Sequence, residues 1–267
     1  MAKIFCTPPF QEFALGLALR GGTMLKRNFF DSVRHTTTTR AKKHALVTAS
    51  DREVHQFAVA KIQQYFPDHN IVSEEGAPIE RGSAYTWVID PLDGTRNYTI
   101  ANPFFCTSVT LLKNNQPIVS AIYAPLLNEI FVAEKGQPAR LNERVIQVSN
   151  EKRLARAVLS FSYFCRDEIT RAQAMQLWAS LEDRSCAMRH LGCVSLELAY
   201  IAAGRMDAQI LVPPIRLWDV TAGMLLVQCA GGRITNFFGK PWREASDGFI
   251  ASNSLLRDPL LTLVTRK

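Results

Sequence analysis

Apolar residues recur at helical spacing near the start of the chain, from about Pro9 to Phe30. A repeat of three to four residues places apolar side chains on one face of a helix, so this pattern predicts a first helix. The adjacent Gly21 and Gly22 weaken its middle. The positions on the apolar face are Phe10, Phe13, Ala14, Leu17, Ala18, Met24 and Leu25.

A polar stretch follows from Asp31 to Lys43, with four consecutive threonines and several basic residues. It predicts an exposed connection that is either a lid or a disordered loop. Helical spacing resumes from Val54 to Tyr65 and stops at Pro67, with Ser50 or Asp51 in a capping position. This region is therefore interpreted as a second helix.

The middle of the chain contains short apolar runs divided by turn residues, a pattern typical of strands. The runs cover residues 71–72, 87–90, 106–112, 118–123 and 129–133. Residues 71–72 are predicted as a separate short strand. Because short turn segments such as Asn114-Asn115 separate the later runs, we predict that the four runs from Trp87 onward form an antiparallel meander and a sizeable sheet.

From Ala157 onward, strand and helix patterns alternate, which indicates an α/β lobe. Strands are predicted at residues 158–161, 186–189, 207–212 and 249–251, and helices at about 167–181, 194–203, after Asp219 and at 255–264. We therefore expect a single domain over residues 1–267. Its N-terminal lobe, about 1–150, would hold helices and the antiparallel sheet, and its C-terminal α/β lobe would cover about 151–267.

Composition narrows the class of protein. A chain of 267 residues with 47% hydrophobic content can bury a large core. No stretch has the pattern of a secretory signal or a membrane span, and the six cysteines lack zinc-site spacing, so a soluble cytoplasmic enzyme with reduced thiols is expected. The net charge of +7 and the pI near 9.2 suit an anionic substrate or a weak nucleic-acid contact, and favour neither strongly.

The run from Trp87 to Tyr98 places two carboxylates, Asp90 and Asp93, where an apolar strand breaks into a turn. Pro91 is expected to end the strand's hydrogen bonding, and Gly94 permits a tight backbone path in which the following amides face an anion. Such a loop suits a hydrated divalent cation together with a phosphate group. Alone it is weak evidence, because Asp-Gly is also a common surface turn.

Other segments supply partners for this loop. Glu74 and Asp219 also lie at the end of an apolar run or at the start of a helix, where an α/β scaffold presents side chains to a cleft. Four oxygen ligands without neighbouring His or Cys select Mg²⁺, and two such ions favour phosphoryl transfer to water. Thr95 could hold the attacking water and Asp51 could accept a hydrogen bond from Thr95.

Each of these residues also has a simpler explanation. Asp219 and Asp51 could be helix caps, and Glu74-Glu75 could be a solvated turn. Lys42 and Lys43 could reach a phosphate group, although surface lysines are usually just solvated. It is the joint pattern of the acidic residues that favours the catalytic interpretation.

Considered together, these motifs resemble the inositol monophosphatase family of Mg²⁺-dependent, lithium-sensitive phosphatases. The resemblance spans nearly the whole chain and implies a layered αβαβα sandwich, the sugar-phosphatase or inositol monophosphatase-like fold, and a homodimer. The matching segments are Leu46 to Asp51, Glu74-Glu75, Trp87 to Tyr98, Gly192 with its following helix, and Trp218-Asp219 through Gly232.

The resemblance also implies residue roles. Glu74, Asp90 and the backbone carbonyl of Leu92 would hold one Mg²⁺. Asp90, Asp93 and Asp219 would hold a second, and Glu74 would contribute to a weaker third. The catalytic residues implied are Asp51, Thr95 and Glu74, of which Asp51 and Thr95 would activate water. The residues implied to contact substrate are Asp93, Gly94, Thr95, Gly192, Cys193 and Asp219, with the amides of Gly94 and Thr95 binding phosphate.

Two departures concern the substrate. Inositol-preferring members of the family carry a glutamate where this chain has Leu211-Val212-Pro213-Pro214, and a threonine where this chain has Cys193. Both changes remove a polar partner for a hydroxyl-rich ligand. Arg96-Asn97-Tyr98 is similar to a variant in bacterial histidinol-phosphate phosphatases.

The sequence therefore predicts a Mg²⁺-dependent phosphomonoesterase that acts on a small phosphorylated metabolite similar to inositol 1-phosphate, without a covalent intermediate. The alternatives within the superfamily are a histidinol-phosphate phosphatase, a 3′(2′),5′-bisphosphate nucleotidase and a fructose-1,6-bisphosphatase. A regulatory member of the fold that binds RNA or protein is the alternative from another class. The intact acidic set favours the enzyme, so nucleic acid is not an expected partner.

Overall fold

The computed structural model describes residues 9–34, 48–163 and 168–265. Within these ranges, helices form where the sequence has helical spacing of apolar residues. A 3₁₀ turn at Leu154–Arg156 precedes the second half of the molecule. The α-helices within the described ranges are α1 (Phe10–Arg34), α2 (Ala49–Tyr65), α3 (Thr95–Thr99), α4 (Glu168–Glu182), α5 (Val194–Ala202), α6 (Leu217–Cys229) and α7 (Arg257–Val264). None of these helices is both long and apolar enough to cross a membrane.

The strands of the first sheet come from the middle of the chain. They are β1 (Asn70–Ser73), β2 (Gly76–Ile79), β3 (Tyr85–Asp93), β4 (Cys106–Lys113), β5 (Gln116–Ala124), β6 (Glu129–Glu134), β7 (Arg140–Leu141) and β8 (Arg144–Val145). Their order across the sheet is β2-β1-β3-β4-β5-β6-β7-β8. Strands β3 to β6 form the predicted antiparallel meander, whereas β1 pairs with β3 in parallel. The short strands β2, β7 and β8 were not predicted.

The second sheet is built from the C-terminal part of the chain. Its strands are β9 (Val158–Tyr163), β10 (Ala187–Arg189), β11 (Ala208–Val212), β12 (Arg233–Thr235) and β13 (Phe249–Ser252), in the order β10-β9-β11-β13-β12. Parallel pairing of β9 with β10 and β11 follows from the helices that connect them, since a parallel crossover needs a long connection.

Helices and sheets alternate in five layers. Helices α1 and α2 pack on one side of the first sheet, α5 and α6 lie between the two sheets, and α4 and α7 pack on the far side of the second. The largest core lies in the middle layer, where Leu196, Leu226 and Phe131 are fully buried. This arrangement confirms the predicted αβαβα sandwich.

Several element boundaries differ from the prediction. Helix α1 continues to Arg34, since residues 31–34 contain no Gly or Pro to end it. Strand β3 runs through Pro91 to Asp93, with a register shift instead of an end. Helix α6 begins at Leu217, before Asp219. The threonine run and Lys42 and Lys43 lie outside the described residues, as does the predicted lid.

Candidate active site

Two of the predicted metal ligands lie side by side on neighbouring parallel segments. Ser73 of β1 pairs with Ile89 of β3, and the residues that come next are Glu74, just after β1, and Asp90, within β3. The amide of Glu74 also donates to the carbonyl of Ile89 at 3.3 Å. Parallel strands in register place their carboxyl ends side by side, so the two carboxyl groups are close enough to interact by hydrogen bonding.

A register shift in β3 brings the third carboxylate to the same place. Residues three apart on a regular strand point to opposite faces of the sheet. Between Asp90 and Asp93, however, the pairing with β4 shifts, so that Asp93 lies opposite Cys106. The Leu92 amide donates to Asp90 Oδ1 at 3.1 Å, which fixes the turn. The bulge allows both aspartates to face one cleft.

The fourth carboxylate comes from the middle helical layer. Asp219 is the third residue of α6, and its Oδ2 accepts from the Arg216 amide at 3.0 Å. Arg216, not Asp219, is therefore the N-cap residue, and Asp219 accepts from it as the third helical residue of a capping box. The charges of Asp219 and Asp93 repel each other, and so do those of Asp219 and Glu74. Helix α5 contributes the Ser195 amide, which donates to Asp93 Oδ2 at 2.5 Å.

The carboxylates repel one another in a partly dry cleft. Burial raises the pKa of Asp90 well above its usual range, and the charges of Glu74, Asp93 and Asp219 raise it further. Burial also raises the pKa of Asp219 to about 7, with Asp93 adding to the rise. Such a set of hard oxygen donors fits divalent cations, whose charge offsets the repulsion.

Glu74 lies at the mouth of this cleft and Asp90 at its floor, since Glu74 is exposed to solvent and Asp90 is 2% exposed. Desolvation by the surrounding protein and the charges of Asp219, Glu75 and Asp93 raise the pKa of Glu74 to about 8. Solvent at the mouth screens these charges and weakens their effect on Glu74.

Asp51 lies beside this cleft at the start of α2. Thr48 is the N-cap, and Asp51 Oδ2 accepts from the Thr48 amide at 2.8 Å while the Thr48 hydroxyl accepts from the Asp51 amide at 3.3 Å. Thr48, not Ser50 or Asp51, is thus the capping residue, and Asp51 completes a capping box. Burial raises the pKa of Asp51 to about 6 against these hydrogen bonds.

The Thr95 hydroxyl lies close to Asp51 but donates its hydrogen bond elsewhere. The Thr95 hydroxyl is the weakest of the groups that lower the pKa of Asp51, and it donates to the Leu92 carbonyl at 2.9 Å. In the described part of the chain, Asp51 Oδ1 is buried with no partner in normal hydrogen-bond geometry. Asp51 therefore has one oxygen available to accept a proton or hydrogen bond.

The predicted phosphate loop packs against the loop before α5. Gly94 has φ of +90° and is the N-cap of α3, and a Cβ there would lie 3.0 Å from the Phe104 carbonyl and 3.2 Å from Cys193 Cβ. Only glycine fits this path without strain. Gly192 lies near Asn97, whereas the Cys193 side chain is fully buried, so a substrate contact from Cys193 would involve its backbone.

Three residues that hold the site in place were not identified from the sequence. Asn97 Nδ2 donates to the carbonyls of Phe104 and Leu191, both at 2.7 Å, and so ties α3 to the loop before α5. Glu197 is fully buried and accepts from the Leu191 amide at 3.1 Å. Cys106 lies beside Cys193. Asn97 follows the Asp-Gly-Thr segment, a usable signal, but nothing in the sequence pairs Glu197 or Cys106 with this site.

Comparison with known proteins agrees with this geometry. The sequence model of the inositol monophosphatase family matches residues 8–266. The chain is similar to a fructose-1,6-bisphosphatase/inositol-1-monophosphatase of Thermotoga maritima, with 37% identity over 82% of each chain, and to the Nus factor SuhB of Xylella fastidiosa, with 38% identity over 71% of this chain and 68% of the relative. The solved inositol monophosphatase of Anabaena superposes with a TM-score of 0.83 at 30% identity, covering 96% of this chain and 94% of that one.

Proposed function

The chain belongs to the inositol monophosphatase family, and from that premise we propose that it is a Mg²⁺-dependent phosphomonoesterase acting on a small phosphorylated metabolite. A homodimer, a cytoplasmic location and inhibition by lithium follow from the same premise and are part of the proposal. The family and two of its relatives are named for phosphatase activity, which supports hydrolysis as the reaction.

The convergence of four carboxylates carries this proposal. Glu74, Asp90, Asp93 and Asp219 come from three places in the chain, since Asp90 and Asp93 share β3, and each interacts electrostatically with at least one of the others. A cluster of mutually repelling carboxylates is unfavourable by itself, so its presence supports a cation-binding role. These residues, with the Leu92 carbonyl, would hold the Mg²⁺ ions.

Bound Mg²⁺ would supply positive charge that offsets the negative charge of the phosphate group, and it would lower the pKa of the attacking water. The chain's own residues would then orient the phosphate and accept a proton. The amides that follow Gly94 would orient the phosphate group, because glycine lets the backbone approach it closely. Water would attack the phosphorus, and its proton would pass through Thr95 to Asp51. The bond between phosphorus and the ester oxygen would break, and the departing alcohol oxygen would take up a proton from solvent water.

Asp51 and Thr95 have the chemistry for that proton transfer. Turning the Thr95 hydroxyl from the Leu92 carbonyl to the unpaired Asp51 Oδ1 would complete a water–threonine–carboxylate chain. The raised pKa of Asp51, about 6, makes it a better proton acceptor than an ordinary aspartate near neutral pH.

Phosphate release from a defined panel tests the proposal. The panel contains inositol 1-phosphate, histidinol phosphate, fructose 1,6-bisphosphate and a 3′,5′-bisphosphonucleotide, each with Mg²⁺ and with EDTA. We expect Mg²⁺-dependent release, with one ester clearly preferred. Because this chain has Val212-Pro213-Pro214 where inositol-preferring members of the family carry a glutamate, inositol 1-phosphate need not rank first. Rates on every ester that are unaffected by EDTA would contradict the proposal.

Replacing Asp51 by Asn should lower kcat by roughly 10²–10⁴-fold, the usual contribution of a general base. Asn keeps the size of the side chain but cannot take the proton. Glu53→Gln is the matched control, because Glu53 lies on the same helix, is half-buried and pairs with Arg27 and Asn28, away from the carboxylate cluster. Steady-state phosphate release should separate the two variants, and equal kcat in both would remove Asp51 from the mechanism.

A regulatory role is the second candidate, because several relatives, including that of Xylella fastidiosa, are named Nus factor SuhB. With its net charge of +7, this chain could contact RNA or a protein partner. A binder should retain salt-sensitive RNA affinity in EDTA. Filter binding of RNA at several salt concentrations, with and without EDTA, distinguishes it from a metal-dependent enzyme.

A further inference from the structure

Two thiols lie directly behind Asp93. Cys106 at the start of β4 and Cys193 before α5 are both fully buried, and their sulfur atoms are 3.6 Å apart. The Cys193 thiol donates to the Asp93 carbonyl at 3.3 Å. One ligand atom from each of Asp93, Cys106 and Cys193 falls within 4.8 Å of the other two. A carboxylate and two sulfurs therefore converge at one point.

The sulfur separation matches a metal site better than a disulfide. Two thiolates bound at about 2.3 Å to a tetrahedral zinc ion lie roughly 3.8 Å apart, close to the observed 3.6 Å. A disulfide requires about 2.05 Å, so the two sulfurs would have to move together by about 1.5 Å.

We propose that Asp93, Cys106 and Cys193 bind a thiophilic divalent cation such as Zn²⁺, and that this site excludes Mg²⁺ from the carboxylate cluster by sharing Asp93. Binding exchanges two thiol protons for the metal ion and involves no redox change. Asp93 is half-buried, so it offers an entry from the cleft to the buried sulfurs. Solvent or a ligand from the cleft would fill the fourth position.

The softness of sulfur gives the site its selectivity. Thiolates bind zinc-like ions and bind Mg²⁺ poorly, whereas the carboxylates Asp90 and Asp219 suit Mg²⁺. Asp93 belongs to both ligand sets, so a zinc ion bound to it would compete with Mg²⁺ for that carboxylate and place a second positive charge beside the Mg²⁺ site. Zinc should therefore inhibit the enzyme at concentrations far below those of Mg²⁺. The inhibition rests on the proposed phosphatase activity, but zinc binding does not.

Cobalt titration of the wild-type protein tests the site without any activity. Co²⁺ bound by thiolates gives sulfur-to-cobalt charge-transfer absorption in the near ultraviolet, and oxygen ligands give none. We expect this band in the wild type, its displacement by Zn²⁺, and its loss in Cys193→Ala and Cys106→Ala. The double variant Cys186→Ala/Cys229→Ala is the control, because it removes two other cysteines and should keep the band.

Zinc affinity and inhibition complete the test. Competition with a chromophoric chelator should show Zn²⁺ binding at least about 100-fold weaker in Cys193→Ala, since even outer-shell changes cost up to that factor. Absence of the cobalt band in the wild type would overturn the proposal, whether or not the variants fold. Equal zinc inhibition in wild type and a folded Cys193→Ala would also overturn it. Lack of phosphate release with Mg²⁺ would contradict only the phosphatase activity.

Discussion

Replacing Asp90 by Asn is expected to lower phosphate release by roughly 100-fold or more at saturating Mg²⁺, because changes even outside the ligand shell of metal sites cost 10–100-fold. Asp90 lies at the floor of the cleft and interacts with the three other carboxylates. The substitution removes one negative charge from that set while keeping the size of the side chain. Asparagine Oδ1 can still accept the hydrogen bond from the Leu92 amide.

The same substitution should not harm the fold. Without metal, Asp90 is a buried carboxyl surrounded by like charges, so its neutral replacement relieves repulsion. We expect Asp90→Asn in EDTA at pH 8 to unfold at a Tm equal to or above that of the wild type. Steady-state phosphate release and thermal unfolding measure the two effects. Asp183→Asn, at an exposed position, is the control for both.

A variant that keeps wild-type turnover at saturating Mg²⁺ would remove Asp90 from the metal site. A variant whose Tm in EDTA falls by many degrees would show that Asp90 stabilises the metal-free fold, contrary to the repulsion argument. The pair of measurements is needed because a loss of turnover alone does not separate a metal role from unfolding.

The second large effect is a loss of stability of the metal-free protein as the pH rises from about 5 to 8. The ordinary pKa of an aspartate is 3.8, and the fold raises that of Asp219 to about 7. The fold also raises the pKa of Glu74 above its ordinary value of 4.5. In this window the folded state holds more protons than the unfolded state. The free energy of unfolding must therefore fall with increasing pH.

This sign is the reverse of the usual carboxylate case. A salt-bridged carboxyl has a lowered pKa and loses its stabilising contribution at low pH. Here the clustered carboxyls lose their protons at higher pH, and their negative charges then destabilise the folded state. A carboxyl that is protonated in the folded state and charged in the unfolded state lowers the free energy of unfolding by about 1.4 kcal/mol per pH unit. For a chain of this size, that corresponds to roughly 3–5 °C in Tm. Solvent at the mouth of the cleft reduces the share of Glu74.

Thermal unfolding in EDTA and in Mg²⁺ at several pH values measures this effect. Mg²⁺ should raise the Tm more at pH 8 than at pH 5, because protons compete with the metal for the same oxygens. A Tm in EDTA that rises steadily from pH 5 to 8, with no additional effect of Mg²⁺ at high pH, would contradict the clustered carboxylates. Asp219→Asn should flatten the pH dependence in EDTA.

The elements that carry the carboxylates could be predicted from the sequence, because the spacing of apolar residues marks approximately where each strand or helix begins and ends. Asp90 follows the apolar run Trp87-Val88-Ile89 and Asp219 lies near the start of an apolar helix, so their approximate positions followed from local patterns. The family resemblance supplied the layered fold, which the structure confirms. The roles assigned to the metal ligands and to Asp51 stay predictions.

Contacts set by long-range register could not be predicted in this way. The bulge that turns Asp93 toward Asp90 depends on pairing with β4, and no local signal marks it beyond Pro91. Cys106 and Cys193 are 87 positions apart, and each resembles an ordinary core cysteine in sequence. Thr48 was missed as the N-cap because Ser50 and Asp51 are equally good capping residues by type.

Binding of Mn²⁺, followed by the loss of the electron paramagnetic resonance signal of the free ion, tests the metal site most directly. Mn²⁺ prefers the same oxygen ligands as Mg²⁺, and binding can be measured without any substrate. We predict at least two saturable sites per chain, competition by Mg²⁺, and loss of the tighter binding in Asp90→Asn. If the folded wild-type protein binds no Mn²⁺ saturably, or if Asp90→Asn binds it equally well, the carboxylate cluster is not a metal site.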